Sequence, residues 1–326
     1  MWIASLACFA LHWVGPRKAT APVAGHCSAT VHSEVFAFGG LLPGGCTSQT
    51  RVFRDGNWKV LAPEHGSPAE RMYAAAAEVD TDILMCGGWD PGDRGSGGVF
   101  FDDLWIYSPT ENRWTELPDR IPEGPVSRHT LLPIGNSSVL IHTFRCDDYV
   151  LLYNHTTQTI ERRNTTGPCP TRLSMMSATW HPEAMTAVFS GGADKSQKMS
   201  SDVFLLDLNT WTWSISHCMT PDEKPRPFAS ASAVALRPSQ SRIRQLVFGG
   251  ATVSSGELRS SNRLWTLDVN IAERTHNWYK CFASGVTPPK RVASCLDWVA
   301  PGIVMLHGGW KPETRVTHSI SHFLHV

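Results

Sequence analysis

Short apolar runs punctuated by glycine, proline, aspartate and asparagine recur along the whole chain, and no stretch sustains the apolar spacing of a helix. The sharpest runs end in a glycine pair: VFAFGG (35–40), ILMCGG (83–88), AVFSGG (187–192), QLVFGG (245–250) and VMLHGG (304–309). Successive pairs lie 48, 104, 58 and 59 residues apart. The long step spans two periods, because VLIHTF (139–144) keeps the apolar run and loses both glycines. The pattern therefore repeats six times.

Two further runs accompany each glycine pair. Downstream come DDLWIY (102–107), DDYVLLY (147–153), SDVFLLD (201–207) and NRLWTLD (262–268), followed by an aromatic at Trp58, Trp114, Trp213 or Trp278, with Ile160 standing in for it in the third repeat. Upstream, after a proline, come PVAGHCSATV (22–31), PAERMYAAAAEV (68–79), PVSRHTLLPI (125–134), PTRLSMMSATW (170–180), PRPFASASAV (225–234) and PKRVASCLDW (289–298). These upstream runs are rich in small residues, which lets strands crowd where sheets converge on an axis, and a glycine pair permits close backbone approach. Four strands per repeat, small-residue strand inside and tryptophan strand outside, describe a propeller blade. The fold class expected is all-β, a six-bladed propeller in one domain over 1–326, with blades near 22–61, 68–117, 125–162, 170–215, 225–280 and 288–326.

The pattern resembles the kelch-repeat family: an inner strand opening with arginine and histidine, a strand ending in Gly-Gly, then Asp-Leu-Trp, then an outer tryptophan. It departs from that family in the third repeat, which lacks the glycines, and in the histidine, which is clear only at His26 and His129. The sixth repeat ends before an outer strand, whereas CFALHWV (8–14) has a strand's length and a tryptophan in the outer position. Residues 8–14 are expected to close the last blade, the alternative being that the apolar stretch 1–14 is a secretory signal.

Composition narrows the role. Lysine plus arginine and aspartate plus glutamate number 29 each, which leaves no global field for nucleic acid or an anionic membrane. Nine scattered cysteines without a Cys-x-x-Cys pair read as reduced thiols and point to the cytoplasm, while sequons at Asn136, Asn154 and Asn164 keep the secretory route as the alternative. His318 and His322 share a face of a strand, but neither this pair nor His307, read as core, is expected to bind metal, and no cofactor is expected. Glu78, Asp82 and Cys86 follow an iron-site spacing of nitrile-specifier kelch proteins except for the final cysteine, which reads as coincidence. Five tyrosines do not assemble a galactose-oxidase copper site, and no sialidase box, phosphate loop or Gly-x-Ser-x-Gly elbow occurs.

The candidate binding residues are the arginines that open the inner strands, Arg71, Arg128, Arg172, Arg226 and Arg291, expected as a ring around one mouth of the channel. Guanidinium groups bind carboxylates in a two-pronged fashion. Trp89 and Trp310, each directly after a glycine pair, are candidate peptide anchors. The kelch resemblance implies a non-catalytic protein–protein interaction module, an adaptor or substrate receptor taking an acidic or carboxylate-ended segment of a protein or peptide partner. No adaptor-docking box is seen ahead of the first strand, so assembly with a ligase would need a separate chain. The alternative from another class is a small-molecule enzyme of the sugar mutarotase or epimerase type.

Overall fold

A computed structural model describes residues 11–18, 22–64, 66–92, 97–236, 242–254 and 256–326. Hydrogen bonding resolves the expected runs into six four-stranded antiparallel meanders. Blade 1 is Cys27–Val31, Glu34–Phe38, Thr50–Arg54 and Asn57–Leu61. Blade 2 is Ala75–Val79, Asp82–Cys86, Asp103–Ser108 and Arg113–Arg120. Blade 3 is Thr130–Gly135, Ser138–His142, Tyr149–Asn154 and Thr159–Asn164. Blade 4 is Ser177–His181, Thr186–Ser190, Val203–Asp207 and Thr212–Cys218. Blade 5 is Phe228–Leu236, Arg242–Ser254, Leu264–Asn270 and Thr275–Cys281. The inner strand of each blade touches that of the next, and the inner strand Val292–Ala300 of blade 6 returns to that of blade 1.

Blade 6 is completed across the termini. Val292–Ala300, Ile303–Lys311 and Ile320–His325 supply three strands, and His12–Lys18 adds the fourth by antiparallel pairing, Trp13 opposite Leu324. The closing strand runs on past Val14, and residues 8–10 lie outside the described residues. Trp13 is 2% exposed and meets Phe248 of blade 5 edge-on at 5.6 Å.

Blades are joined by the glycine pairs. The N–H of the second glycine donates to a carbonyl at the start of the next inner strand: Gly40 to Arg71 at 2.7 Å, Gly88 to Val126, Gly192 to Phe228 and Gly309 to Val23 at 2.8 Å, and Gly250 to Arg291 at 3.0 Å. The first glycine must have no side chain. A Cβ at Gly39 would stand 2.5 Å from the Arg71 carbonyl oxygen, and one at Gly87 would stand 2.6 Å from that of Val126. Blade 3 carries Thr143 and Phe144 there and makes no such bond to blade 4 among the described residues.

The apolar core is divided among the blade interfaces, as stacking of open-faced sheets requires. The clusters between blades 2 and 3, and between 5 and 6, are extensive, whereas the one between blades 6 and 1 reduces to Val35, Phe53 and Met305, flanked by Trp58, Val299 and Phe323. Small residues, Ala74 to Ala77, Ala231, Ala233 and Ala235 among them, line a central channel of about 630 Å³. The eight described cysteines are all free thiols. No helix among the described residues is long and apolar enough to cross a membrane.

Two stability measurements follow from this packing. Truncation of the closing tryptophan, Trp13→Ala, should lower the unfolding free energy by about 3–5 kcal/mol in urea titration; an unchanged midpoint would mean that the strand does not hold the ring. His142 is buried between the rings of Phe189 and Trp213, and burial lowers its pKa to about 4. Since the unfolded imidazole protonates near the ordinary histidine pKa of 6.5, the native state keeps its full advantage above that pH and loses it as pH falls toward 4. The loss from this one group should approach about 3 kcal/mol, and His142→Gln should flatten that part of the melting temperature's dependence on pH.

Candidate functional site

One backbone feature fixes which residues reach the axis. Tyr73 N–H donates to the Gly25 carbonyl at 2.6 Å, Arg128 to Tyr73 at 3.0 Å, Met175 to Arg128 and Ser230 to Met175 at 2.9 Å, and Gly25 to Ala293 at 3.0 Å. All six residues of this belt, Gly25, Tyr73, Arg128, Met175, Ser230 and Ala293, have left-handed backbone with φ between 51° and 63°. Left-handed conformation at bulky residues such as Tyr73 costs free energy and persists only where surrounding bonds enforce it. The belt therefore sets the register of every inner strand.

That register corrects the expected ring of arginines. The residues whose carbonyls receive the glycine amides are Val23, Arg71, Val126, Phe228 and Arg291, each two before a belt residue. Only Arg71 and Arg291 are arginines there, and both are buried inside their blades, 1% and 0% exposed, so neither lines the mouth. Arg71 forms a two-pronged pair with Asp103, at 2.5 and 2.8 Å, donates to the carbonyls of Gly87 and Ala69, and lies over the ring of Phe101. Asp103 also accepts from the indole of Trp105, which explains why Asp-Leu-Trp follows the glycine pair in this blade. Arg291 donates to the carbonyls of Gly308 and Pro289.

The other three arginines divide between two places. Arg128 sits on the belt itself, and Arg172 just before it; both line a mouth cavity of about 370 Å³ together with Tyr73, Phe144, Lys195 and Trp310. Arg128 stacks on Tyr73 with its guanidinium carbon 4.1 Å from the ring centre, and the Lys195 ammonium lies 5.1 Å from the centre of the Phe144 ring. Aromatic faces hold both cations without neutralising them. One carboxylate, Asp194, lines the cavity, and its Oδ1 accepts from the Ser196 hydroxyl and from the backbone N–H groups of Ser196 and Lys198. Arg226 lies elsewhere, in a cavity of about 410 Å³ on blade 5 with Arg259, Arg263 and Lys290, where it donates to Ser254.

The matched tryptophans also part ways. Trp89 stacks on Phe100 and donates to the Gly97 carbonyl at 3.1 Å, bracing its own loop, while Trp310 lines the mouth with its indole N–H unpartnered. Lys195, Phe144 and Tyr73 were missed as mouth residues from the sequence. Counting two residues on from the carbonyl partner of each glycine pair finds Tyr73, and the missing glycines of blade 3 point to Phe144. Lys195 belongs to a loop whose course carries no such marker.

The Glu78, Asp82, Cys86 spacing and the His318, His322 pair do not converge on one point among the described residues. Asp82 faces His155 at 3.5 Å, whereas Cys86 faces His129 at 3.3 Å. His318 bonds the Lys290 carbonyl, and His322 packs edge-on against Trp13. The contrast between internal and mouth arginines is measurable. Arg71→Ala, which strands the Asp103 carboxylate, should cost about 3–5 kcal/mol of unfolding free energy, and exposed Arg172→Ala less than about 0.5 kcal/mol; equal losses would contradict the assignment.

Comparison with known proteins follows the same lines. The KLHDC2/KLHL20/DRC7 Kelch-repeats domain matches residues 141–324, more than half of the chain, and the Kelch motif matches residues 70–120. Human Kelch domain-containing protein 3 is 24% identical over 255 residues, covering 69% of this chain and 60% of that protein. The acyl-CoA-binding domain-containing protein 5 of Arabidopsis thaliana is 25% identical over 289 residues, covering 80% of this chain and 42% of that one. N-acetylneuraminate epimerase of Haemophilus influenzae is 31% identical over 106 residues, 32% of this chain and 27% of the epimerase. The solved structure of YjhT superposes with a TM-score of 0.68 over 93% of this chain and 95% of that one at 16% identity, a likeness of fold. The chain thus spans 60% of the length of the Kelch domain-containing protein 3 relatives it matches.

Proposed function

Because the chain belongs to the kelch-repeat family, we propose that it is a non-catalytic protein-interaction module whose mouth takes an acidic or carboxylate-ended segment of a protein partner, as an adaptor or substrate receptor does. The observation that carries this reading is the charge of the mouth: Arg128, Arg172 and Lys195 converge on one cavity beside a single carboxylate already engaged by its own loop. A guanidinium held on an aromatic face is pre-oriented, which favours two-pronged capture of a carboxylate. Trp310 adds an apolar wall.

A second reading, turnover of an acidic sugar, draws on the partial match to N-acetylneuraminate epimerase, since the same cations would suit a sugar carboxylate. Epimerisation needs a general base. Asp194 is the one carboxylate lining the described mouth, and hydrogen bonds from the Ser196 hydroxyl and the Lys198 amide hold its pKa below the ordinary range. That makes it a weak base and favours the binding module.

Affinity capture with the intact protein and with an Arg128→Glu, Arg172→Glu variant, followed by titration of the captured partner's peptides, tests the proposal. Affinity should fall at least about tenfold in the variant, the equivalent of one charge-assisted hydrogen bond. Amidation of a peptide whose recognised end is its terminal carboxylate should have a similar effect. Equal capture by both proteins would remove the mouth from recognition, and turnover of N-acetylneuraminate by the native protein alone would favour the enzyme.

A further inference from the structure

The seam between blades 6 and 1 has the sparsest apolar cluster and also a group of buried and partly buried polar side chains at the channel wall. His26, at the start of blade 1, directs Nε2 at Nδ1 of His307 in blade 6, 3.1 Å away. The other nitrogen of His307, Nε2, donates to the Asp297 carboxylate at 2.7 Å, and Asp297 accepts from the Ser28 hydroxyl at 2.9 Å. The carboxylate thereby fixes the His307 tautomer and leaves a lone pair on Nδ1, facing His26. The Cys295 sulfur completes the group: one ligand atom each from His26, Cys295 and His307 lies within 4.8 Å of the others.

We propose that His26, Cys295 and His307 bind a zinc-class divalent cation that staples the last blade to the first. Three observations carry the assignment. Two imidazole nitrogens on one tetrahedral ion, each bonded at about 2.0–2.1 Å, stand roughly 3.3 Å apart, close to the spacing found here. A metal-bound histidine typically has its other nitrogen held by a carboxylate, and Asp297 occupies that place for His307. His26, Cys295 and Asp297 line the central channel, while His307 stands behind them and is 2% exposed, so the channel side is open to a water as fourth ligand.

Charge at the seam is compatible with the ion. Burial, with the charges of His307 and Arg51, keeps His26 well below its ordinary pKa, so its imidazole is neutral and can donate a lone pair. Burial and the Asp297 carboxylate hold Cys295 as a thiol; it donates to the His26 carbonyl at 3.4 Å. Binding must release that thiol proton and also shift the His26 proton from Nε2 to Nδ1, so that Nε2 presents its lone pair to the ion. The buried guanidinium of Arg51 opposes the cation and favours the thiolate, and the charge of Asp297 offsets it. Without metal, His26 Nε2–H simply donates to His307, and the buried His26 Nδ1 is left without a partner.

The full-length protein, stripped with chelator and titrated with Co²⁺ and then Zn²⁺, tests the site. One Co²⁺ per chain should give visible bands of a four-coordinate ion and a near-ultraviolet thiolate-to-cobalt band, both bleached by Zn²⁺, and Zn²⁺ should raise the melting temperature. Cys295→Ser should lose the thiolate band. Where that variant does not fold, protection of Cys295 from alkylation by Zn²⁺ in the native protein replaces it. A melting temperature unmoved by Zn²⁺, a cobalt spectrum without the thiolate band, or a thiolate band that persists in Cys295→Ser would leave the cluster as a hydrogen-bonded chain and overturn the proposal.

Discussion

The bond on which the rest of this structure depends is the one from the second glycine of each pair to the carbonyl that opens the next inner strand. It is a backbone bond across a blade boundary, and it forms only because the preceding glycine lets the chains approach more closely than a β-carbon allows. Five of the six junctions have it. At those five junctions the residue two places on from the fixed carbonyl falls on the belt at the axis, while blade 4 reaches the belt at Met175 through the belt's own bonds to Arg128 and Ser230. Recognition surface and ring mechanics therefore share one register.

The two exceptional junctions show what the device leaves open. Between blades 3 and 4 the glycines are replaced by Thr143 and Phe144, and the side chain that could not exist at a glycine becomes part of the mouth, with Lys195 over its ring. Between blades 6 and 1 the glycine bond is present but the apolar cluster is small, and two buried histidines with a partly buried cysteine and aspartate take up the space. Chain closure happens in that last blade, where His12–Lys18 supplies a strand the C-terminal part lacks. Its tryptophan is keyed into the interface with blade 5, so the termini are locked through packing as well as pairing.

The strands, the glycine pairs, the outer tryptophans and closure by an N-terminal strand were legible in the sequence because each is a local pattern: alternating burial, a left-handed turn, a repeated large aromatic. The arginines were not, because their grouping was counted from the prolines ahead of each inner strand, where insertions of one or two residues shift the register. Measured from the glycine bond, Arg71 and Arg291 occupy one position, Arg128 lies two later than its counterpart Val126, and Arg226 two earlier than Phe228. A guanidinium buried on Asp103 and one stacked on Tyr73 look the same in a repeat pattern. The cluster of His26, Cys295 and His307 joins residues from the two ends of the chain and leaves no spacing to read.

Native-state amide hydrogen exchange is the most direct test of the glycine seam. The amides of Gly40, Gly88, Gly192, Gly250 and Gly309 should exchange only with opening of the ring, at rates approaching those of the second-strand cores, while the Phe144 amide at the unbonded junction should exchange much faster. Glycine amides exchanging as freely as surface loops, or no difference at Phe144, would contradict the claim that these bonds set the ring and its mouth.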